Sequence, residues 1–235
     1  SAQSKIKTAT AGARVASSRG KELKNLGFNM IFSPVLDYAS NSKSYLYARS
    51  FKASPEKIKT YGAAMIRGYQ KSGLVPVAKH FPGYGNMMSD PHKYRKIVNT
   101  EENIKITYDI FKNIIETARP EAIMSAHVAI TGIEDRPATL SEKIITGKLR
   151  GELGYGGVII TDDLEMAAAL GNKKIGDTAV GAILAGNDIL IITLHPEKIP
   201  IMVMAIKKAV EEGRVTEERI NESVRKIIDL KLKML

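Results

Sequence analysis

The chain has 235 residues, 44% hydrophobic and 26% charged, with 35 Lys and Arg against 25 Asp and Glu for a formal net charge of +10. This balance excludes a disordered chain. The lack of cysteine excludes disulfides, thiolate catalysis and a cysteine-built metal site, and leaves the compartment open. No run approaches the ~18 consecutive apolar residues of a membrane-spanning helix, and residues 1–12 lack the apolar core of a signal peptide. The basic residues are dispersed and flank acids, as at Glu142-Lys143 and Glu197-Lys198. That pattern reads as a solvated surface rather than a nucleic-acid footprint, although part of the charge can attract an anionic ligand.

Along the chain, short apolar runs alternate with longer amphipathic segments. Five runs, residues 28–36, 74–80, 122–128, 157–161 and 188–193, are apolar on both faces, as in strands buried within a parallel sheet. Between them, residues 55–71 place Ile58, Tyr61, Ala64, Met65 and Tyr69 on one helical stripe. Thr100 is positioned to cap a helix running to Ala118, with Glu101 and Glu102 at its positive end. Thr139 to Glu142 fits a capping box, and Thr216 is placed to cap the last helix after a break at Gly213. The alternation predicts an α/β fold with parallel strands and no linker dividing the chain. Five strands cannot close a regular eight-stranded barrel, so the pattern fits either an open sheet or a barrel whose first strands lie outside this chain.

In such folds, functional groups gather at the C-terminal ends of strands. The five runs end in, or are followed by, Asp37, Lys79-His80, His127, Asp162-Asp163 and His195. Three of the four histidines therefore fall at or just after strand ends. The loop after the second run carries the turn-rich sequence Phe81-Pro82-Gly83-Tyr84-Gly85 and then Asp90-Pro91-His92. In an extended segment, Asp90 and His92 lie on the same side, where the carboxylate can fix the imidazole tautomer and raise its basicity. A merely loop-stabilising contact is equally compatible with that spacing. The successive acids Asp162 and Asp163 point to opposite sides of their strand, so one can face a ligand while the other supports it. A carboxylate in that position can attack an anomeric carbon. Helix capping would account for only one of the two, and Glu165 falls in the following helical turn. The same acids and histidines could ligate a metal, but no compact ligand spacing supports this.

The segments FNMIFSPVLDY, ARSF, VAKHFPGYG, SDPH, IMSAH, RPATLS, LRGELGYGGVIITDDLEM and AGNDILI resemble glycoside hydrolase family 3 in order and spacing, in particular its β-N-acetylglucosaminidase branch. The resemblance implies a TIM-type (β/α) barrel with about five C-terminal βα units in this chain, its first strands missing. The 235 residues would then form a single, N-terminally incomplete catalytic domain. It further implies a retaining exo-glycosidase acting on terminal β-linked N-acetylhexosamine of cell-wall or chitin-type saccharides. In this scheme Asp162 is the nucleophile, His92 the acid/base and Asp90 its partner. Arg49, Lys79 and His80 contact the sugar, and Asp37, Asp163 and His127 support them. No cofactor, metal, nucleic acid or membrane is called for. A missing N-terminal segment or a second chain would complete the barrel.

Several positions depart from the family pattern. Tyr84 replaces the usual second His, Lys52-Ala53-Ser54 replaces Gly-Glu-Asp, residues 41–47 lack a Pro, and residues 93–96 follow His92 with KYRK. No D-x-E-G-G element occurs in residues 1–30. A neutral imidazole base would let phosphate compete with water, so phosphorolysis is one variant of the reaction. The alternatives are a non-catalytic homologue that binds sugar without turning it over, or a β-glucosidase-type member of the family, against which the D-x-H loop speaks because that branch generally lacks it.

Overall fold

A computed structural model describes residues 3–234. The elements are α1 (Ala9–Asn25), β1 (Met30–Ile31), α2 (Pro55–Lys71), β2 (Val75–Phe81), β3 (Val98–Thr100), α3 (Glu101–Thr117), β4 (Ala122–Ser125), β5 (Ala129–Thr131), β6 (Glu134–Pro137), β7 (Val158–Asp163), α4 (Ala167–Leu170), α5 (Ile175–Ala185), β8 (Ile189–Ile191), α6 (Ile199–Glu211) and α7 (Glu217–Leu232). They fall into two compact units, one of residues 3–88, 99–124 and 234, the other of Ser89–Val98 and Ser125–Lys233. Strand and helix alternate, and the α/β expectation holds. No helix among the described residues is long and apolar enough to cross a membrane.

In the first unit β2 lies between β1 and β4. β1 and β2 are parallel, with Met30 opposite Val75 and Ile31 opposite Pro76. Of the single strand expected over residues 28–36, only Met30–Ile31 enters a ladder. Pro34 interrupts it, because proline has no N–H to donate. Val35 resumes contact as an isolated parallel bridge to Lys79. Helix α2 begins with Pro55 in its first turn and buries the whole expected stripe of Ile58, Tyr61, Ala64, Met65 and Tyr69. Its approach to α1 is close: a Cβ on Gly68 would lie 2.6 Å from the Ala13 carbonyl oxygen and 2.9 Å from the Ala16 Cβ. Helix α3 is capped as expected, with Thr100 Oγ1 accepting the Asn103 N–H at 3.2 Å. It buries Ile104, Thr107, Ile110, Phe111 and Ile114.

In the second unit β7 runs parallel to β8, with Ile160 opposite Ile189 and Asp163 opposite Ile191. Leu140, Leu164, Ala169, Ala179, Ala182 and Met202 form one apolar cluster, and Val180, Ile183, Ala209 and Val215 another. Asp188 anchors the start of β8. Its buried carboxylate accepts from Arg150 at 2.6 Å, the Ile159 N–H at 2.9 Å and the Ser223 hydroxyl at 2.7 Å. Thr216 caps α7 through the Arg219 N–H at 3.1 Å.

The capping box expected over residues 139–142 does not form. Thr139 is buried, with Oγ1 2.9 Å from both His127 Nδ1 and the Ala126 carbonyl. Glu142 is already helical at the entry to a π-helical segment, Lys143–Glu152. A buried hydroxyl satisfied by tertiary partners has displaced the local cap. The short antiparallel pair β5–β6 is an addition to the expected strands.

Candidate functional site

The first unit places Asp37, Lys79 and His80 around the end of β2. The Asp37 carboxylate is fully buried. Its Oδ2 accepts the His80 N–H at 3.0 Å and lies 2.8 Å from His80 Nδ1, while Oδ1 accepts the Tyr84 N–H at 2.7 Å. Those contacts fix the His80 ring and aim its Nε2 away from the acid. Tyr84, the departure from the family pattern, packs edge-on against His80 with ring centroids 5.3 Å apart. Lys79 Nζ stands 5.7 Å from the Phe32 ring centre, within reach of a cation–π contact.

Arg49 projects from the exposed surface of the turn-rich segment before α2, with Nη1 3.2 Å from the Tyr45 hydroxyl and the guanidinium 5.7 Å from the Tyr45 ring centre. The loop after β2 is bound to this segment. Asn86 Oδ1 accepts the Ser40 and Asn41 N–H groups at 2.7 and 2.9 Å, Tyr45 N–H donates to Met87 O at 2.9 Å, and Ser44 Oγ donates to Gly85 O at 3.2 Å. The segment that carries Asp37 and Arg49 is thus stitched to the loop that follows Lys79 and His80 on β2.

The second unit carries Asp90, His92, Asp162 and Asp163. Asp90 and His92 pair as expected, with Nδ1 2.8 Å from Asp90 Oδ1, but the segment is not extended. Asp90 Oδ1 also accepts the His92 N–H at 2.9 Å, and Asp90 O accepts the N–H groups of Lys93 and Tyr94 at 3.0 and 3.2 Å. Asp-Pro at the head of a turn favours this geometry, because proline presets φ and the Asp side chain bonds two residues on. Partial burial works to raise the Asp90 carboxyl. The hydrogen bonds from the His92 backbone and ring, with the nearby charges of His92 and Lys93, outweigh it and hold the acid below its ordinary value. The carboxylate is therefore an acceptor at neutral pH, Nδ1 carries the hydrogen, and Nε2 is the edge able to exchange a proton. His92 is 56% exposed. Pro91 O accepts the Ala168 N–H at 3.1 Å and Arg95 bonds Asn172 at 2.7 Å, so the turn is fastened to the chain just beyond β7.

Asp162 and Asp163 end β7. Asp162 Oδ1 accepts the Asp163 N–H at 2.9 Å. Asp163 Oδ1 accepts the Glu165 N–H at 2.9 Å, and its Oδ2 accepts the Thr193 hydroxyl. His127 is fully buried, and its Nε2 lies 2.9 Å from the Asp163 carbonyl. A carbonyl only accepts, so Nε2 carries the hydrogen there, and His127 braces the backbone directly after Asp162.

Sequence reasoning misses two contributors. Glu165 precedes α4 rather than lying within a helix, and its side chain is 3% exposed. It accepts from Leu194 N–H, His195 N–H and Lys198. Thr193 holds Asp163. The available signal is the third acid within four residues at a strand end, since a buried carboxylate needs partners. His195 lies four residues past β8, half exposed, with Nδ1 3.0 Å from Glu197. Among the described residues, no group of three or more His, Cys, Asp or Glu is placed to hold a metal ion.

The family model described as "Glycosyl hydrolase family 3 N terminal domain" matches residues 2–230. Beta-hexosaminidase A of Pseudoalteromonas piscicida is 30% identical over 242 residues, spanning 94% of this chain and 40% of that protein. A beta-hexosaminidase of Nitrosomonas eutropha is 32% identical over 214 residues, spanning 89% of this chain and 61% of that one. The solved structure of a glycoside hydrolase family 3 beta-N-acetylglucosaminidase from Paenibacillus sp. FPU-7 superposes with a TM-score of 0.91 at 36% identity, over 96% of this chain and 44% of that one. The chain therefore spans less than two thirds of the length of each of these relatives.

Proposed function

The chain belongs to glycosyl hydrolase family 3, as its N-terminal domain, and from that premise we propose that it is the catalytic domain of a retaining exo-glycosidase releasing terminal β-linked N-acetylhexosamine. Relatives named beta-hexosaminidase support the substrate class. We read residues 1–235 as one such domain, its strands part of a TIM-type barrel.

In the proposed cycle, His92 as imidazolium donates its Nε2 proton to the glycosidic oxygen while a carboxylate oxygen of Asp162 attacks the anomeric carbon. The C–O bond to the leaving group breaks and a covalent glycosyl-aspartate forms. Neutral His92 then takes a proton from water, whose oxygen attacks the same carbon and releases Asp162. Asp90 keeps the hydrogen on Nδ1, so that each transfer occurs at Nε2. Arg49, Lys79 and His80 are assigned sugar contacts, with Asp37 fixing His80. Asp163 and His127 hold the chain directly after the reacting carboxylate.

The observation that carries this reading is the Asp90–His92 pair on a turn fastened to the segment after Asp162. The test is hydrolysis of an aryl N-acetyl-β-glucosaminide by the full-length protein. Asp162→Ala is expected to abolish turnover, and His92→Ala to lower it about 10²- to 10⁴-fold. Wild-type rates in both variants would remove the assignment.

A further inference from the structure

The Glu165 carboxylate takes no part in the cycle above, yet it is buried and fully engaged. Its Oε2 accepts the Leu194 and His195 N–H groups at 2.8 and 2.9 Å, and Oε1 lies 2.9 Å from Lys198 Nζ. Its own N–H donates to Asp163, which in turn accepts the Thr193 hydroxyl. Burying a carboxylate is unfavourable unless donors converge on it. Here those donors come from one surface segment, which the two acids after Asp162 hold at Thr193, Leu194, His195 and Lys198.

The side chain carried by that segment is His195. Its imidazole is 52% exposed and turned by Glu197, whose Oε1 lies 3.0 Å from Nδ1. Nδ1 faces a carboxylate, so Nε2 is the edge available for a hydrogen bond. β7 and β8 are parallel neighbours, so their C-terminal ends, with Asp162 on one and His195 beyond the other, lie at the same edge. Asp162 is within its strand. His195 is four residues past the end of β8, a span of up to about 13 Å of chain. Its N–H is bonded back to Glu165, three residues beyond Asp162, so the imidazole stands past the strand end that carries Asp162, on the side where a saccharide would extend beyond the bond being cleaved.

We propose that His195 is a further substrate-contacting residue, hydrogen-bonding a hydroxyl or amide of the saccharide leaving group, and that Glu165 is the positioning residue that sets it. The proposal rests on Asp162 being the nucleophile of a glycosidase.

The experiment compares wild type, His195→Ala, Glu165→Gln and the double variant in the full-length protein, on an N-acetylglucosamine disaccharide and on an aryl N-acetyl-β-glucosaminide. Losing one hydrogen bond to the leaving sugar corresponds to about a threefold to tenfold effect. His195→Ala is therefore expected to raise KM for the disaccharide by that factor relative to the aryl substrate. Glu165→Gln is expected to give the same selective rise, with the double variant no worse than Glu165→Gln alone. In Glu165→Gln, amide hydrogen exchange of a peptide covering 194–195 should accelerate while peptides of α7 stay protected. Equal KM changes on both substrates in His195→Ala, or unchanged exchange at 194–195 in Glu165→Gln, overturn the proposal. If the wild type cleaves neither substrate, the Asp162 reading falls instead. The Kd of the disaccharide, measured by calorimetry, then decides the matter: about threefold to tenfold weaker binding to His195→Ala supports the contact, and equal or absent binding overturns it.

Discussion

Gly83 sits in the loop after β2 with φ +125, and a Cβ placed on it would lie 2.6 Å from Thr107 Cβ, 2.7 Å from Cγ2 and 2.9 Å from Oγ1. Gly83→Ala therefore incurs two penalties. A backbone conformation reserved for glycine costs about 1–3 kcal/mol, and overpacking against a fully buried residue costs about the same. A combined loss of about 3 kcal/mol corresponds to a fall in Tm of roughly 6–12 °C for a chain of this size. The damage has a direction, because Thr107 Oγ1 accepts the Tyr38 N–H at 3.3 Å, and Tyr38 follows the acid that fixes His80. Sugar affinity should therefore fall along with stability. Gly132 supplies the control: its φ is +93 and nothing lies within 4 Å of a Cβ built there, so Gly132→Ala carries only the backbone penalty. Thermal unfolding of both variants, with KM on an aryl N-acetyl-β-glucosaminide, separates the two effects. If Gly83→Ala unfolds no lower than Gly132→Ala, the contact with Thr107 is not what glycine at 83 avoids, and the reasoning fails.

Asp90→Asn keeps an acceptor for the His92 N–H but removes the charge that fixes the tautomer. kcat/KM should fall about 10²-fold or more, with stability within about 1 kcal/mol of wild type because the His92 side of the pair is open to solvent; unchanged kinetics would count against a role in proton transfer. His127→Ala strands the Asp163 carbonyl and opens a cavity in a fully buried position, so chemical denaturation should show a loss of about 2–4 kcal/mol. Burial works to raise the Glu165 carboxyl, but the Lys198 ammonium and the His195 and Leu194 N–H groups outweigh it and hold the acid below its ordinary value. A depressed folded pKa contributes stability that is present above the unfolded value of about 4.3 and lost as pH falls through the folded one. Glu165→Gln should accordingly lower Tm at pH 7 and progressively less in acid, and a constant Tm difference down to the folded pKa would refute the ionised clasp.

Helices with unambiguous local chemistry are readable from the sequence. Pro55 opening an apolar stripe defines α2, and Thr100 and Thr216 cap as their positions indicate. Local pattern fails where tertiary partners compete. The Thr139–Glu142 motif has the right residues for a capping box, but burial next to His127 gives the hydroxyl other partners. Residues 28–36 look like one apolar strand, yet one missing N–H at Pro34 divides the ladder. Strand β6, Glu134–Pro137, is charged and half-exposed, so its pairing through the backbone leaves no hydrophobic alternation to read.

For the candidate site, spacing identifies one pair, Asp90 and His92, without giving its environment. Three of the four histidines turn Nδ1 toward a carboxylate: His80 to Asp37, His92 to Asp90 and His195 to Glu197. From sequence only the Asp90–His92 pair is legible, because Asp37 and His80 lie 43 residues apart and meet through the fold. Burial separates them. His80 is 1% exposed on an acid that also accepts two backbone N–H groups, which suits a ring that must hold one orientation. His92 and His195 are 56% and 52% exposed, which suits rings that meet substrate and water. His127 turns its two ring nitrogens to the Thr139 hydroxyl and the Asp163 carbonyl, and its part is to hold the end of β7. The division of labour among four histidines thus follows from which neighbour each Nδ1 finds and how much solvent each ring retains.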